Sequence, residues 1–532
     1  MRYDLVIIGG GHNGLTCACY LAAAGLSVRV CERRHIVGGT AITEEFHPGF
    51  RNSVASYTVS LLQPRIIREL RLAEHGVRIL ERPYANFLPL PDGRAFRLGP
   101  DTATTQAELA RFSSRDAERL PGYYRVIENV AEVLRAMVLK TPPNVGGGFP
   151  DLARALDLGL RLRKLDSAAR RDLLDLFTKS AGELLDHWFD ADALKAAFGF
   201  DAVVGNFASP YTPGSAYVLM HHAFGEVNGK RGTWGHARGG MGAITQAMAA
   251  EARARGVEIS TESAVAGIRV RGGRATAVVL ESGEEIQARA LAANVNPRSL
   301  YLDLLEPGAI DEEIRDRMRR YRCGSASFRM NVALSELPDF TCVPGKTAQP
   351  HHGAGIIMAP SLDYMDRAHA DARALGWSRE PIVEMLIPSI IDDSLAPPGM
   401  HVASLFCQHF NPQLPAGKSW TQEREQAADL IIDTVNRHAP NFKASVIARQ
   451  MLSPLDLETV FGLPNGDIMH GALGLDQIFS ARPLLGLADY RTPVRGLYLC
   501  GAGAHPGGGV TGAPGYNAAR EILRDLRRKA LS

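Results

Sequence analysis

The first forty residues alternate between short apolar runs and glycine-rich or polar turns. Leu5 to Ile8 is an uninterrupted apolar run, which is typical of a strand buried in a parallel sheet. The small residues from Leu15 to Gly25 indicate a closely packed helix, and Val28 to Glu32 has the pattern of a second strand that ends in an acid. This order predicts a strand–helix–strand unit at the start of the chain.

Longer elements follow this unit. A helical pattern runs from Asp101 to about Met137, with Asp101 and Ser113 or Ser114 as caps, and a second helical region covers residues 151–198. The stretch 203–242 is rich in Gly, Pro and aromatic residues, and we expect it to line a pocket or a domain junction rather than to form regular structure. We further predict a helix at 64–72, a helix opened by residues 238–242, strands at 257–265, 266–271 and 275–280 with a turn at 272–273, a return strand at 290–294, helices near 298–320 and 420–438, strands at 328–334 and 382–387, and a strand and helix at 496–500 and 516–528.

Three glycines separate the first strand from the first helix with the spacing G-x-G-x-x-G. Gly9 permits the tight turn, Gly11 lets a pyrophosphate approach the backbone, and Gly14 allows the helix to pack closely on the strand. The helix N-terminus offers free N–H groups to the phosphates. Glu32 follows at nearly the usual spacing and can accept a hydrogen bond from a ribose hydroxyl. Strand, glycines, helix, strand and acid in this order predict a dinucleotide site.

Composition narrows the class of protein. The net charge of +2 lacks the bias of a nucleic-acid binder, so we expect no nucleic-acid partner. We expect neither a leader segment before the first strand nor a membrane span, and therefore a cytoplasmic protein. The basic residues between 154 and 171 indicate either a solvated helix face or a peripheral membrane contact. No two cysteines form a C-x-x-C pair, which disfavours a dithiol redox shuttle, and no metal-ligand spacing is present.

The C-terminal region repeats the arrangement of a strand that leads into glycines. Residues 496–503 form an apolar run ending in Gly501-Ala502-Gly503, and residues 505–513 are again rich in glycine. A helix is predicted directly afterwards. Such an element can close over a cofactor held by the first glycine motif, with its helix N-terminus facing an anionic ring.

Taken together, these motifs resemble those of the phytoene desaturase-like branch of the FAD-dependent oxidoreductases, and the resemblance covers nearly the whole length of the chain. The resemblance rests on residues 9–14, 38–40, 238–242, 471–477 and above all 497–509. Within that branch it is most similar to the group of pyridine nucleotide-disulfide oxidoreductase domain-containing protein 2, and next to the desaturase-type carotene ketolases. The name of that group does not define the mechanism, because neither a redox cysteine pair nor a second nucleotide-binding unit for NAD(P)H is present.

The resemblance implies FAD as the cofactor and assigns roles to particular residues. Gly9, Gly11 and Gly14 would hold the pyrophosphate and Glu32 the adenosine ribose. The other implied cofactor-binding residues are Arg34, Gly38, Gly39 and Thr40 along the adenosine and pyrophosphate, Val265 at the adenine, and Gly501, Ala502, Gly509 and Val510 at the ribityl chain and flavin ring. Related amine oxidases usually have Arg where this chain has Thr40, which weakens an amine-oxidase assignment.

The chain of 532 residues exceeds what one core usually organises, so we expect two domains. The resemblance implies an α/β fold in which a Rossmann-like FAD-binding domain is interleaved with an α+β substrate domain. We assign residues 1–100, 231–300 and 490–532 to the FAD-binding domain and residues 101–230 and 301–489 to the substrate or cap domain.

Candidate catalytic residues lie near the C-terminal glycines. His505 can relay a proton or orient the substrate, although a histidine that simply caps the turn is the alternative. His470, Asp476 and Gln477 lie just upstream and can line the substrate side. The histidines His221 and His222 are further candidates, with core packing as their alternative role.

Two functional classes follow. The first is a flavin enzyme that dehydrogenates or otherwise oxidises an apolar, isoprenoid- or carotenoid-like organic substrate in a cleft ending near His505, with electrons passing to oxygen or a quinone. Within this class, oxidation of fatty chains or amines stays open. The second class is a flavin-binding regulatory or structural protein with little turnover. The oligomeric state is left open by the sequence.

Overall fold

The computed structural model describes residues 2–528 of the chain. Its helices are α1 (His12–Ala23), α2 (Pro64–Glu69), α3 (Thr102–Leu109), α4 (Ser114–Val138), α5 (Phe149–Arg163), α6 (Ser167–Thr178), α7 (Ala181–Trp188), α8 (Asp192–Val203), α9 (Ser215–Ala223), α10 (Gly242–Ala254), α11 (Glu312–Arg319), α12 (Leu362–Leu375), α13 (Trp420–His438), α14 (Phe442–Ser445), α15 (Pro454–Phe461) and α16 (Ala513–Arg527). Its strands are β1 (Tyr3–Ile8), β2 (Val28–Cys31), β3 (Thr43–His47), β4 (Phe50–Ser53), β5 (Ile79–Glu81), β6 (Asn86–Pro89), β7 (Ala95–Leu98), β8 (Glu226–Val227), β9 (Lys230–Arg231), β10 (Gly235–Ala237), β11 (Glu258–Ser260), β12 (Val265–Arg271), β13 (Arg274–Leu280), β14 (Glu285–Ala293), β15 (Ser327–Leu334), β16 (Gly355–Met358), β17 (Trp377–Leu386), β18 (His401–Phe410), β19 (Val446–Leu452) and β20 (Leu497–Leu499).

The first sheet carries the nucleotide-binding half of the fold. Its strand order is β11-β2-β1-β14-β13-β12, and β20 pairs with β14. Strand β1 is parallel to both neighbours, with Ile7 opposite Val30 on one side and Ala292 on the other. Helices α1, α10 and α16 pack beside this sheet, and the apolar run that the sequence predicts as buried is at most 4% exposed. The predicted strand–helix–strand unit and the return strand at 290–294 are confirmed.

The second sheet has the order β19-β15-β18-β17-β16-β6-β7. Helix α13 covers one face, while α3, α4 and α6 to α9 enclose a separate apolar core against the other. The fold is therefore α/β, with a Rossmann-like sheet interleaved with an α+β unit. Strands β6 and β7 belong to this second sheet, so residues 86–98 depart from the assignment of residues 1–100 to the FAD-binding domain. The chain crosses between the sheets before residue 100. The other domain boundaries stay predictions, and 529–532 lie outside the described residues.

Local signals in the sequence agree with the structure at most of the remaining elements. The Asp101 and Ser113 side chains cap α3 and α4 by accepting hydrogen bonds from the backbone N–H groups of Thr104 and Asp116, at 2.7 and 3.1 Å. The stretch 203–242 differs from the prediction because it contains the buried helix α9. Its aromatic residues obscure the helical period, since residues all around this short helix are buried. None of the helices between residues 2 and 528 is long and apolar enough to cross a membrane.

A buried carboxylate on α10 stabilises the packing of the first domain. The Glu251 carboxylate accepts hydrogen bonds from Arg71 at 3.0 Å and Arg255 at 2.7 Å and lies 2.7 Å from the His75 ring. Burial raises the pKa of Glu251, but the hydrogen bonds from these three partners outweigh it and hold the pKa at about 2. The ion pairs of Glu251 therefore contribute their full stabilisation to the folded state above the usual glutamate pKa. This stabilisation is lost as the pH falls towards 2 and the carboxylate takes up a proton.

Replacing Glu251 with Ala should lower the free energy of unfolding by about 2 kcal/mol at neutral pH, because its cationic partners lose their counter-charge. Urea unfolding followed by circular dichroism measures this. The exposed Glu118→Ala serves as the control, and its stability should stay within about 0.5 kcal/mol of the parent. Equal stability of both variants would mean that the Glu251 pairs contribute nothing.

Candidate functional site

The glycine turn after β1 brings three backbone segments into contact. Gly9 has a φ of +93°, which favours glycine, and a Cβ on Gly14 would lie 2.3 Å from the Gly9 carbonyl oxygen. A Cβ on Gly11 would lie 2.9 Å from Nδ2 of Asn294. Gly14 thus allows α1 to pack on the turn, as its position in the motif predicts. The first N–H groups of α1 stand directly behind Gly11.

Glu32 joins this turn to the second glycine segment. One Glu32 carboxylate oxygen accepts from the Gly10 N–H at 2.7 Å, and the other accepts from the Arg34 N–H at 3.0 Å. The Gly38 N–H donates to the Gly10 carbonyl at 2.9 Å, so the doublet 38–39 runs beside the turn. Glu32 lines the adjacent cavity, and each of its carboxylate oxygens can accept a further hydrogen bond, which is what a ribose hydroxyl requires.

A cavity of about 320 Å³, here called the cofactor cavity, opens along these segments. Most of the residues that the sequence assigns to the cofactor lie in its wall. They are Gly9, Gly11, Glu32, Arg34, Gly38, Gly39, Thr40, Val265 and Ala502.

Four buried polar atoms in the wall of this cavity have no hydrogen-bond partner within residues 2–528, and two of them are nitrogens in the N-terminal part of the chain. These two are Nε2 of His12 and Nη1 of Arg34. The other terminal nitrogen of Arg34 donates to Glu44 at 2.8 Å, which fixes the guanidinium beside the Phe461 ring. Buried polar groups in folded proteins are nearly always hydrogen-bonded, so these two atoms indicate a polar ligand in the cavity.

A second cavity, the inner chamber, continues from the first. His12, Thr40, His470 and Ala502 line both cavities. The inner chamber has a volume of about 140 Å³, and Gly509 and Val510 border it as well. Its wall includes the apolar side chains of Leu61, Phe200, Val204, Trp234, Phe406, Ile468 and Met469. The structure therefore places residues of both predicted glycine segments in the walls of two adjoining cavities.

Asn294 and Arg482 hold the C-terminal glycine segment in place. The Asn294 amide donates to the Gly9 carbonyl at 3.2 Å, and a Cβ on Gly501 would lie 2.9 Å from its oxygen. Arg482 is fully buried and donates to the carbonyls of Met469 at 2.6 Å and Ala502 at 2.8 Å. Sequence reasoning missed both. Asn294 could have been found, because it stands at the end of the predicted return strand. Arg482 could not, because it binds only backbone carbonyls, and these contacts leave no pattern in the sequence.

His470 occupies the junction of the two cavities in a strained conformation. Its φ is +56°, and its carbonyl accepts from the Tyr321 hydroxyl at 2.9 Å. Such strain in a residue other than glycine clusters at functional sites. Burial lowers the pKa of His470 to about 3, so the ring is neutral at physiological pH. Its Nδ1 has no partner in the described part of the chain and is available to a ligand.

The structure does not bring His505 to this junction. Its ring lines a third, separate cavity, its Nε2 lies 3.1 Å from the Met137 carbonyl, and it packs edge-on against Phe479. The expectation of a substrate cleft that ends near His505 is therefore wrong for the inner chamber. The contact with Met137 places the imidazole against the C-terminal end of α4.

The other candidates divide between the chamber wall and the scaffold. Gln477 accepts from the Arg322 N–H at 2.9 Å and Asp476 pairs with the Arg322 guanidinium, so neither is in the chamber wall. His222 does line the chamber, stacked on Trp234 with 6.0 Å between the ring centres. His221 lies 3.1 Å from the Gly508 carbonyl and supports the glycine segment from behind. Burial lowers the pKa of His222 to about 4 and that of His221 to about 3.

Comparison with known families and solved structures agrees with the fold and with the cofactor cavity. The chain belongs to the flavin-containing amine oxidoreductase family, whose family model matches residues 14–327. The fold is also that of a redesigned putrescine oxidase, with a TM-score of 0.60 and 15% identity over 99% of both chains.

Among individual proteins, the chain is 40% identical to pyridine nucleotide-disulfide oxidoreductase domain-containing protein 2 of Rattus norvegicus, over 99% of this chain and 94% of that one. It is 26% identical to the lycopene-forming phytoene desaturase of Pantoea ananas, over 98% and 99% of the two chains. The resemblance that the motifs indicate is confirmed.

The chain is an FAD-dependent oxidoreductase. FAD fits the cofactor cavity because the glycine turn leaves room for a pyrophosphate, Glu32 has free lone pairs for the ribose, and His12 and Arg34 offer unpaired nitrogens. When bound, FAD supplies the capacity to accept two electrons from an organic substrate. The protein contributes the binding groups, the exclusion of water and the position of His470 at the junction.

Proposed function

We propose that this chain dehydrogenates or otherwise oxidises a largely apolar organic molecule in the inner chamber and passes the electrons to oxygen or a quinone. The observation that carries the proposal is the chamber itself, which meets the cofactor cavity at His12, Thr40, His470 and Ala502. Aliphatic and aromatic side chains form much of its wall, so binding there removes an apolar substrate from water.

In this proposal, the polar and the aromatic side chains of the chamber wall have different roles. The neutral His470 ring accepts or donates one hydrogen bond to the bound substrate without adding charge. Trp234, stacked on His222, and Phe406 exclude water from the reacting group. The named activity of the phytoene desaturase relative favours an apolar substrate, whereas the family description favours an amine. Thr40, in place of the usual Arg of amine oxidases, supports the former.

The proposal is tested by mixing the FAD-loaded protein anaerobically with small organic compounds of graded polarity and following the flavin absorbance. Bleaching by an apolar or mixed compound supports turnover. A flavin that no compound bleaches, in a protein that retains its FAD, would favour the regulatory alternative.

Neither NADH nor NADPH should reduce the flavin rapidly. The first sheet carries one glycine turn of the nucleotide-binding type, and the described residues 100–400 contain no second strand–glycine–helix unit of that kind. Stopped-flow mixing with NADPH should therefore give a reduction rate at least about a hundredfold below that of a true substrate. Rapid bleaching by micromolar NADPH would contradict the proposed direction of electron flow.

A further inference from the structure

The inner chamber has a polar end that an apolar substrate alone does not explain. Arg82 follows β5, Asp201 lies on α8 and Glu384 lies on β17, and all three side chains line the chamber. Arg82 donates to the Thr58 hydroxyl at 2.5 Å, and the Tyr57 hydroxyl donates to Glu384. We call Arg82, Asp201 and Glu384 the polar cluster.

The backbone near the polar cluster leaves room for it. A Cβ on Gly355 would lie 2.9 Å from a Glu384 carboxylate oxygen and 3.1 Å from an Arg82 nitrogen. Any side chain at this position of β16 would therefore crowd both charged groups. Buried charged groups are costly in an apolar chamber even when they attract one another, so a cluster of this kind in a chamber wall indicates a ligand with a charged or strongly polar group.

The charges of the cluster favour an anion. Behind Tyr57 lies a second guanidinium, that of Arg329, 4.7 Å from the Tyr57 ring centre. Burial, with a smaller effect of nearby Glu384 and an opposing effect of Arg82, raises the pKa of Asp201 to about 8. At neutral pH Asp201 therefore carries a proton, so Arg82 in the chamber wall and Arg329 behind it are balanced by at most one ionised carboxylate, that of Glu384.

Asp201 is also free to contact a ligand. No hydrogen bond joins its carboxyl group to another side chain within residues 2–528, although the Tyr123 hydroxyl lies near it. The His222 ring approaches the backbone of Asp201 and not its carboxyl group. A protonated carboxyl group in a chamber donates one hydrogen bond, and a carboxylate ligand accepts it.

We propose that the polar cluster binds a carboxylate at one end of the substrate, with Arg82 as its cation and Asp201 as a hydrogen-bond donor. This inference rests on the proposed function only in taking the inner chamber as the substrate site. It adds a substrate class, an apolar chain that ends in a carboxylate, and it orients the chain with its apolar part towards His470 and the cofactor cavity.

Equilibrium binding tests this directly and without turnover. The FAD-loaded protein is titrated calorimetrically with octanoate, octylamine and octanol, which share one chain length. Octanoate should bind at least tenfold more tightly than the other two at neutral pH. Arg82→Met should weaken octanoate binding at least tenfold, Arg82→Lys should restore part of it, and the exposed Arg111→Met should leave it unchanged.

The pH dependence of octanoate binding shows whether protonated Asp201 donates a hydrogen bond to the ligand or whether the ligand only fills the chamber. Above the Asp201 pKa the carboxyl group ionises and repels the ligand, so octanoate binding should weaken about tenfold per pH unit above pH 8. Asp201→Asn cannot ionise and still donates a hydrogen bond. It should bind octanoate as tightly as the parent at neutral pH and lose the weakening above pH 8.

Two results would overturn the inference. One is tighter binding of octylamine than octanoate, abolished by Asp201→Asn, which would identify a cation site. The other is octanoate binding that Arg82→Met leaves intact. If octanoate binds as expected but no compound bleaches the flavin, the proposed function fails and this inference stands. If a compound without a carboxylate bleaches the flavin and octanoate does not bind, only this inference fails.

A different observation concerns the outer surface. Helix α5 exposes Phe149, Leu152, Leu156 and Leu160 by 83%, 65%, 62% and 49%, and their spacing puts them on one face of the helix. Leu174 of the next helix, α6, is 61% exposed and lines the same cavity as Leu158 and Leu162 of α5. We call these five residues the apolar stripe. A patch of this kind on a protein surface marks an interaction site.

Basic residues and an apolar cavity adjoin the stripe. Arg163, Lys164 and Arg170 are exposed at the C-terminal end of α5 and the start of α6, while Arg161 pairs with Asp157 at 3.1 Å. Beneath the two helices lies the third cavity, of about 440 Å³, which Leu158, Leu162, Leu173 and Phe177 line and which extends to His505. The combination of a basic flank and an apolar face complements an anionic lipid surface.

We propose that the apolar stripe and its basic flank dock this protein on an anionic membrane surface, with the third cavity facing the lipid. Flotation with vesicles tests it. The protein should bind vesicles of phosphatidylcholine mixed with phosphatidylglycerol and bind phosphatidylcholine alone several-fold less. Leu156→Ser with Leu160→Ser should reduce binding at least fivefold, while Leu485→Ser, at a leucine also 49% exposed, should not.

Sedimentation velocity tests whether the apolar stripe binds a second copy of the chain instead of a membrane. If the stripe instead contacts a second copy of the chain, the Leu156→Ser, Leu160→Ser variant converts a dimer to a monomer and neither protein binds vesicles. That result would overturn the membrane proposal, as would vesicle binding that the double substitution leaves unchanged.

Discussion

Gly11→Val should yield purified protein with almost no FAD. The backbone at Gly11 is extended, with a φ of −70°, so valine causes no strain in the chain itself. Its side chain instead fills the approach to the backbone between the glycine turn and Asn294, since even a Cβ would lie 2.9 Å from the Asn294 amide nitrogen. A pyrophosphate that is pushed away from the start of α1 loses the N–H groups and the helix dipole.

FAD content measured by absorbance after purification should fall to about a tenth or less of the parent value, because a loss of only about 1.4 kcal/mol already weakens binding tenfold. Gly159→Val is the matched control. Gly159 lies on α5, away from either glycine segment, and a Cβ there meets nothing within 4 Å. Full FAD content in Gly11→Val would show that the first glycine turn is not the cofactor site.

His470→Ala should slow flavin reduction by substrate at least about tenfold with little change in FAD content, because the ring borders both cavities and positions the substrate at their junction. His470→Asn should recover part of the rate, since asparagine tolerates the left-handed backbone and keeps a polar group. The pKa of about 3 means that His470 contributes no inflection to the rate above about pH 5.

His505→Ala is the comparison for this measurement. Its ring contacts the Met137 carbonyl and Phe479 in the third cavity, so its removal should leave anaerobic flavin reduction within about threefold of the parent. A rate that falls in His505→Ala and not in His470→Ala would reverse the assignment of the two histidines.

The sequence predicts the nucleotide-binding half well because each step there has a local cause. The period of the apolar run, the glycine spacing and the acid after β2 each limit the backbone within a few residues, and Gly9, Gly11, Gly38 and Glu32 lie where those limits place them. The caps of α3 and α4 follow from the same kind of short-range hydrogen bond.

The inner chamber is less predictable because its wall comes from distant parts of the chain. Arg82, Asp201 and Glu384 are far apart in sequence, and each looks like an ordinary charged residue on its own element. His470 and His505 both lie near glycines, so proximity in sequence does not separate them. Their different surroundings come from residues distant in sequence, Tyr321 at His470 and Met137 at His505, which only the folded chain shows.

A chamber-filling variant tests most directly whether the cofactor cavity and the inner chamber act as one site. Val204 lines the inner chamber and not the cofactor cavity. The larger side chain of Val204→Phe should therefore leave FAD binding unchanged and exclude the substrate from the chamber. The measurement is anaerobic flavin bleaching by the compound that reduces the parent protein. We expect unchanged FAD content with bleaching slowed at least about tenfold. Equal bleaching rates in the parent and in Val204→Phe would contradict the assignment of the inner chamber as the substrate site.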